Sequence, residues 1–288
     1  MFNVAILGCE NTHANDFLQI IKDGKFTELN VIGVYSEETE TANSLKEKFG
    51  VPVMENYADL VGKVDAIMVT ARHGDNHYKY AMPYLSSGIP MFIDKPITCQ
   101  TEQAIEFMQQ AKKYGVKLCG GSSLKGAELV KELKEQVNNG SFGKIKTANV
   151  YAPVQLDSVH GGFYFYAQHL VEIMTTIFGE KVTEVFATKT DLAVNVIAKY
   201  SDFNVTLNFL QHTYSYGIAL FGEKEFKVSP ITFTAEIFSE ELKDTLDLLK
   251  GGEMKKSYGS FINPVFIMSA ILKSIESGKW EKIEKVEI

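Results

Sequence analysis

From Phe2 to Gly121 the chain repeats one pattern. Short apolar runs alternate with longer segments whose apolar residues recur at helical spacing. Val4–Leu7, Val31–Tyr35, Asp65–Val69, Met91–Ile93 and Val116–Cys119 are too short and too continuously apolar for anything but buried strands. The segments between them read as helices: one from Thr12, its N-cap, carrying Phe17, Leu18, Ile20 and Ile21 and closing near Gly24; Thr39–Phe49, stopped by Gly50 and Pro52; Asn76–Leu85, ending at Ser87-Gly88; and Thr101–Tyr114. A short helical turn is expected at Asp59-Leu60. Strands without a polar face must be covered on both sides, so the pattern predicts a doubly wound parallel sheet of the nucleotide-binding, Rossmann type over residues 1–121.

After Gly120-Gly121 the period changes. A helix is expected over Leu124–Asn138, a strand over Ile145–Tyr151 and a helix from about Tyr164 to Phe178. Successive strands follow at Val182–Thr188, Ala193–Tyr200, Asn204–Phe209, Tyr214–Phe221 and Glu225–Val228, with hairpin turns at Ser201-Asp202 and Gly222-Glu223. Helices over Thr234–Leu249 and Pro264–Glu276 and a final strand within Trp280–Val286 complete the reading. Residues 122–288 are therefore expected to form one α+β domain on an open antiparallel sheet, for substrate binding and oligomerisation.

Composition excludes several classes. A net charge of −7 argues against a nucleic-acid surface. No apolar run approaches the roughly 18 residues of a membrane span, and the first residues read as a strand rather than a signal peptide. Cys9, Cys99 and Cys119 have neither metal-ligand spacing nor the even number of a disulfide framework, so a reducing, cytoplasmic setting is expected and no metal site. An antiparallel sheet with one face free suits pairing into a homodimer or homotetramer.

The chemistry gathers at strand ends. Phe92-Ile93 runs directly into Asp94-Lys95-Pro96. Proline has no N–H for a ladder and holds its predecessor out of the α region, so the strand must stop there. Lys95 is thereby set at the carboxyl edge of the sheet, where open α/β sheets bind ligands. Arg72, the chain's only arginine, falls just past the end of another strand, where a planar fork suits a phosphate or carboxylate.

The first strand, turn and helix should form a phosphate site, because a helix amino terminus offers free N–H groups and positive dipole. In G-x-G-x-x-G register the chain reads Gly8-Cys9-Glu10-Asn11-Thr12-His13. Gly8 supplies the tight turn, but Glu10 and His13 stand where the second and third glycines belong. A carboxylate about 4 Å from a phosphate costs about 1 kcal/mol in water and about 4 at an effective dielectric of 20. Glu10 must turn away, or the cofactor must sit differently. The second strand ends in Val34-Tyr35-Ser36-Glu37-Glu38, with no acid at its tip for ribose hydroxyls and no base for a 2′-phosphate. NAD is therefore favoured over NADP.

Taken in order, these segments resemble the Gfo/Idh/MocA oxidoreductase family, which includes glucose–fructose oxidoreductase and inositol dehydrogenase. The likeness rests on the strand–Gly8 opening, on Thr70-Ala71-Arg72 through His77, on Asp94-Lys95-Pro96, and on Asn139-Gly140-Ser141-Phe142-Gly143-Lys144-Ile145. Gly161-Gly162 with His169, and Ser269-Ala270-Ile271-Leu272-Lys273-Ser274 before Gly278-Lys279, extend it over nearly the whole chain. The resemblance implies a nicotinamide-dependent dehydrogenase acting on a hydroxyl of a sugar, cyclitol or similar small polar molecule. It implies that Lys95 bonds the reacting oxygen, and that His169 is the general acid/base. Imidazole suits that task because its unperturbed pKa lies near operating pH. The family's aspartate one turn before the histidine is Phe165 here, and Glu172, three residues later, is the expected replacement partner of His169. His160 and Tyr166 are expected to meet substrate, and His77 to line the cofactor side. Two other readings are kept: a metal-assisted hydrolase or lyase gathering Glu10, His13, His73, His77, His160 and His169, and a non-catalytic sensor on the same fold.

Overall fold

The protein is described over residues 1–288 by a computed structural model. It divides into two compact units: Met1–Gly121 with Ala235–Ile262 and Ile288, and Ser122–Thr234 with Asn263–Glu287. The segment 235–262 was expected in the second domain and belongs instead to the first.

In the first unit, β1 (Phe2–Leu7), β2 (Leu29–Tyr35), β3 (Ala66–Val69), β4 (Met91–Asp94) and β5 (Leu118–Gly121) form a parallel sheet in the order β2-β1-β3-β4-β5. A single parallel bridge joins Val34 of β2 to Val53, beyond the outer edge of the sheet. Counted as a strand, it completes the doubly wound order 3-2-1-4-5-6, whose switch point falls between β1 and β3. Period-two alternation divides the side chains of β1 between the two faces. Val4 and Ile6 join Ala66, Met68 and Phe92 in a cluster with Ala14, Phe17 and Leu18 of α1 (Thr12–Lys22) and Ala42 and Leu45 of α2 (Thr39–Phe49). The helix α3 (Gly74–Ala81) runs on as a tighter turn over Met82–Ser87, and α4 (Thr101–Lys113) leads to β5.

The second unit begins with a short turn of helix at Ser123–Gly126 and α5 (Glu128–Asn138), which divide the helix expected over 124–138. Then come β6 (Ile145–Pro153), α6 (Tyr164–Phe178), β7 (Glu184–Lys189), β8 (Ala193–Lys199), β9 (Asn204–Leu210), β10 (Tyr216–Gly222) and β11 (Phe226–Ile231). The helix α7 (Glu236–Leu249) belongs to the first unit; α8 (Tyr258–Ser277) and β12 (Glu281–Lys282) follow. The seven-stranded sheet has the order β11-β10-β6-β9-β8-β7-β12. It is antiparallel except at its centre, where β6 and β9 run parallel. The chain leaves β6 through α6 and returns by the β7–β8 hairpin, a long crossover of the kind parallel neighbours need. In β8, Val194, Val196 and Ala198 are buried, while Asn195, Ile197 and Lys199 are exposed, so one face of that strand stays open.

Pro264, expected to start the last helix, lies inside α8 instead. One helix, Tyr258–Ser277, is long and apolar enough to cross a membrane by length and composition, with 56% of its window buried inside the protein. Burial of that kind is as expected of a core helix as of a span.

Candidate active site

The β1–α1 turn is built around Gly8, whose φ is +77°. A Cβ there would stand 2.4 Å from the Cβ of Ala71, so both backbone and neighbour require glycine. Thr70 fixes the turn from the next strand: its N–H donates to the Leu7 carbonyl at 2.8 Å and its hydroxyl to the Gly8 carbonyl at 3.1 Å. Asn11, rather than Thr12, is the N-cap of α1, and its side chain caps nothing; its Nδ2 donates to Asp94 Oδ2 at 3.1 Å. No acid lies in the first turn of α1.

Glu10 resolves the conflict in the fingerprint. Its Oε2 accepts from the hydroxyl of Ser36 at 2.8 Å and its Oε1 from the N–H of Arg72 at 3.1 Å. Both carboxylate oxygens are held by the ends of β2 and β3, and the Glu10 backbone has no positive φ that would demand glycine. The Arg72 side chain lies 3.6 Å from Glu38 Oε1 and is partly exposed. Tyr35 packs edge-on to Tyr57 and Tyr80.

His13, at the third glycine position, meets Asp94. Its Nδ1 is 2.6 Å from Asp94 Oδ2, and its ring centroid is 4.9 Å from that of Phe238 on α7. Burial opposes protonation of His13, yet the adjacent Asp94 carboxylate, aided by Glu241, leaves its pKa raised. Asp94 is fully buried, which alone would raise its pKa; His13, Lys95 and His77 overcome that and hold it at about 2. Lys95 is 5% exposed, its N–H donates to Asp94 Oδ1 at 2.7 Å, and the Lys95–Pro96 bond is cis. Burial lowers the Lys95 pKa, against the opposing pull of Asp94 and Glu241. His77 lies 2.6 Å through Nδ1 from the Pro96 carbonyl, which only accepts, so Nδ1 carries the proton. Its complete burial lowers its pKa.

The first unit thus brings Glu10 against Ser36 and Arg72, and Asn11, His13 and Lys95 against Asp94. An NAD-type dinucleotide is implied by this kind of unit, and the residues fit one. The start of α1 carries no acid, and Glu10 is committed to the β2 and β3 ends.

In the second unit His169 sits on α6, 7% exposed. Its Nδ1 is 2.7 Å from the hydroxyl of Ser122. Glu172, the expected partner of His169, also bonds Ser122. Its Oε1 accepts from the Ser122 N–H at 2.8 Å and from Gln168 Nε2 at 2.7 Å, so it holds the residue that meets His169. The aromatic rings of Tyr166 and Tyr216 flank His169 at 5.7 and 6.5 Å, and His160 packs on Phe165 at 5.1 Å. The group with ligand atoms within 4.8 Å of one another is His73, Asp75 and Cys99, which shares only His73 with the metal reading.

Ser122 and Glu241 are site residues that the sequence did not offer. Ser122 sits in no motif, and Glu241 looks like one more polar residue of an amphipathic helix.

Residues 2–122 match the oxidoreductase family with an NAD-binding Rossmann fold, GFO_IDH_MocA. Over those residues the chain is similar to the Gfo/Idh/MocA family. It is 28% identical over 177 residues to a myo-inositol 2-dehydrogenase of Thermotoga maritima, a stretch covering 58% of this chain and 53% of that protein. It is 22% identical to a trans-1,2-dihydrobenzene-1,2-diol dehydrogenase of Mus musculus over 65% of this chain and 62% of that one. The matches therefore span little more than half the length of these relatives. In fold, the chain superimposes on scyllo-inositol dehydrogenase of Lactobacillus casei with bound cofactor NAD(H) and scyllo-inositol. The TM-score is 0.85 at 16% identity, over 98% of this chain and 99% of that one.

Proposed function

We propose that this protein is a dehydrogenase that moves hydride between a nicotinamide cofactor, NAD rather than NADP, and a hydroxyl-bearing carbon of a cyclitol, sugar or similar small polar substrate. The observation that carries the reading is Lys95: a buried ammonium at the end of β4, set against Asp94 in a unit that matches an NAD-binding family. The cofactor, when bound, supplies the hydride acceptor or donor. Gly8, Glu10, Asn11, Thr12, His13, Tyr35, Ser36, Thr70, Ala71, Arg72, His77, Asp94 and Lys95 are the residues assigned to hold it. Asn11, Thr12 and His13 open α1, where the free N–H groups suit a pyrophosphate.

Lys95 also receives the reacting oxygen of substrate. Poorly solvated, its positive charge is aimed where negative charge develops, and Asp94 fixes its backbone beforehand. His169 removes or returns the hydroxyl proton, its ring oriented by the Ser122 hydroxyl at Nδ1. His160 and Tyr166 are assigned to substrate. None of the three cysteines forms a disulfide, in keeping with a cytoplasmic setting, and the open sheet face suits a homodimer or homotetramer.

The test is turnover of myo- and scyllo-inositol with NAD, alongside calorimetry with NADH. Wild-type protein binds NADH. Lys95→Ala loses turnover by roughly 10²–10³-fold while its circular dichroism persists and NADH still binds, more weakly. Absence of NADH and NADPH binding, or an active Lys95→Ala variant, overturns the reading.

A further inference from the structure

The acid that ordinarily accepts the adenosine ribose hydroxyls stands at the tip of the second strand, about 20 residues past the glycines. Here that tip is Ser36, buried at 5% exposure. The two acids that follow are occupied elsewhere. Glu37 pairs with Lys79 at 2.7 Å with its side chain 54% exposed, and Glu38 faces Arg72 with 49% exposed. A carboxylate nevertheless lies against Ser36, and it comes from the β1–α1 turn. It belongs to Glu10.

Three features show that this arrangement is built. Glu10 is anchored through both oxygens, by Ser36 Oγ and by the Arg72 N–H. Ser36 Oγ is itself oriented by the N–H of Glu38 at 3.0 Å, so its proton is free to point at Glu10. Each carboxylate oxygen carries two lone pairs, and each is engaged by one donor, which leaves acceptor capacity for a pair of hydroxyls. Glu10 also keeps 8% of its surface open. Its negative charge opposes a phosphate at the same place.

We propose that Glu10 takes over the work of the missing acid at the end of β2. It accepts the adenosine ribose hydroxyls and, by charge, excludes a 2′-phosphate. The position of the fingerprint's second glycine thereby becomes the residue that selects NAD(H) over NADP(H). The inference rests on the proposed binding of a dinucleotide to the first unit. It goes beyond that binding by naming the selecting side chain.

Calorimetric titration of wild type, Glu10→Gln and Glu10→Gly with NADH and with NADPH tests it, with thermal melts to confirm folding. Wild type is expected to bind NADH about 100-fold more tightly than NADPH. Glu10→Gln, which keeps the shape and removes the charge, is expected to lose about tenfold in NADH affinity and to bring the two cofactors within about tenfold of each other. Unchanged affinities for both cofactors in folded Glu10→Gln overturn the assignment while leaving the dehydrogenase reading intact. Binding that appears only in Glu10→Gly makes Glu10 a plug and overturns the assignment as well. No binding of either cofactor by any of the proteins refutes the dehydrogenase reading and the assignment together.

Discussion

At the scale of single residues, Asp94 governs the electrostatics of the first unit. Its carboxylate is fully buried, yet it remains charged because His13 stands 2.6 Å from Oδ2 and Lys95 and His77 are close. The pH dependence follows from both partners. Asp94, held at about 2 against an unfolded value near 3.9, contributes stability that is present above about pH 4 and lost as the pH falls toward 2. His13, whose pKa is raised, contributes stability that is present below about pH 6.5 and lost as the pH rises through its folded value. The pair is therefore strongest between about pH 4 and 6.5. Asp94→Asn should lose roughly 2–3 kcal/mol in that window, measured by urea unfolding. The difference from wild type should narrow at pH 3 and at pH 8. A loss that is the same at all three pH values would show that packing, and not charge, holds Asp94.

At the scale of elements, α6 and the turn after β5 hold His169 as a unit. The Glu172 carboxylate grips the Ser122 N–H, the Ser122 hydroxyl meets His169, and the same oxygen accepts from the Leu124 N–H at 3.2 Å. A hydroxyl both donates and accepts, so it serves either neutral tautomer of the histidine, which a carboxylate cannot. Ser122→Ala should lower kcat about tenfold with little change in KM, and lower stability by roughly 1–3 kcal/mol because the Leu124 N–H loses its acceptor. Ser122→Thr, which restores the hydroxyl, should recover most of kcat. If Thr fails and Ala is as active as wild type, the hydroxyl is not what orients His169. This element also shows where sequence reading stops. The strands and helices of the first unit were legible because burial on two faces and helical periodicity leave their marks within a few residues. Lys95 and Gly8 were legible because proline and the tight turn constrain their neighbours. Ser122 was not, since its role depends on a helix some fifty residues away. The parallel β6–β9 pair was missed for the same reason: pairing direction is set by the route of the connection, and no local pattern carries it.

At the scale of the whole molecule, the nucleotide-binding unit is discontinuous in sequence. The segment 235–262 returns from the end of the antiparallel sheet to complete it. Leu242 and Leu246 of α7 enter the cluster formed by Phe17, Phe92, Val4 and Met68, with Phe238 and Leu249 packed at its edge. Lys117 at the start of β5 donates to the Gly252 carbonyl at 2.8 Å, and Tyr258 to the Val116 carbonyl at 2.8 Å. Burial of Leu242 and Leu246 alone is worth roughly 3–6 kcal/mol, a large part of the roughly 5–15 that holds an ordinary domain folded. The same segment delivers Glu241, whose charge acts on both His13 and Lys95. A chain ending at Gly121 keeps every strand of the sheet but should fail to unfold cooperatively and should expose Phe17 and Phe92 to hydrophobic dye. Joining residues 1–121 to 235–262 through a flexible linker of about 15 residues, with a reach near 20 Å, should restore a cooperative urea transition. If the shorter fragment already unfolds in one sharp transition with the same midpoint, α7 is an accessory of the first unit and the five strands with their own four helices suffice.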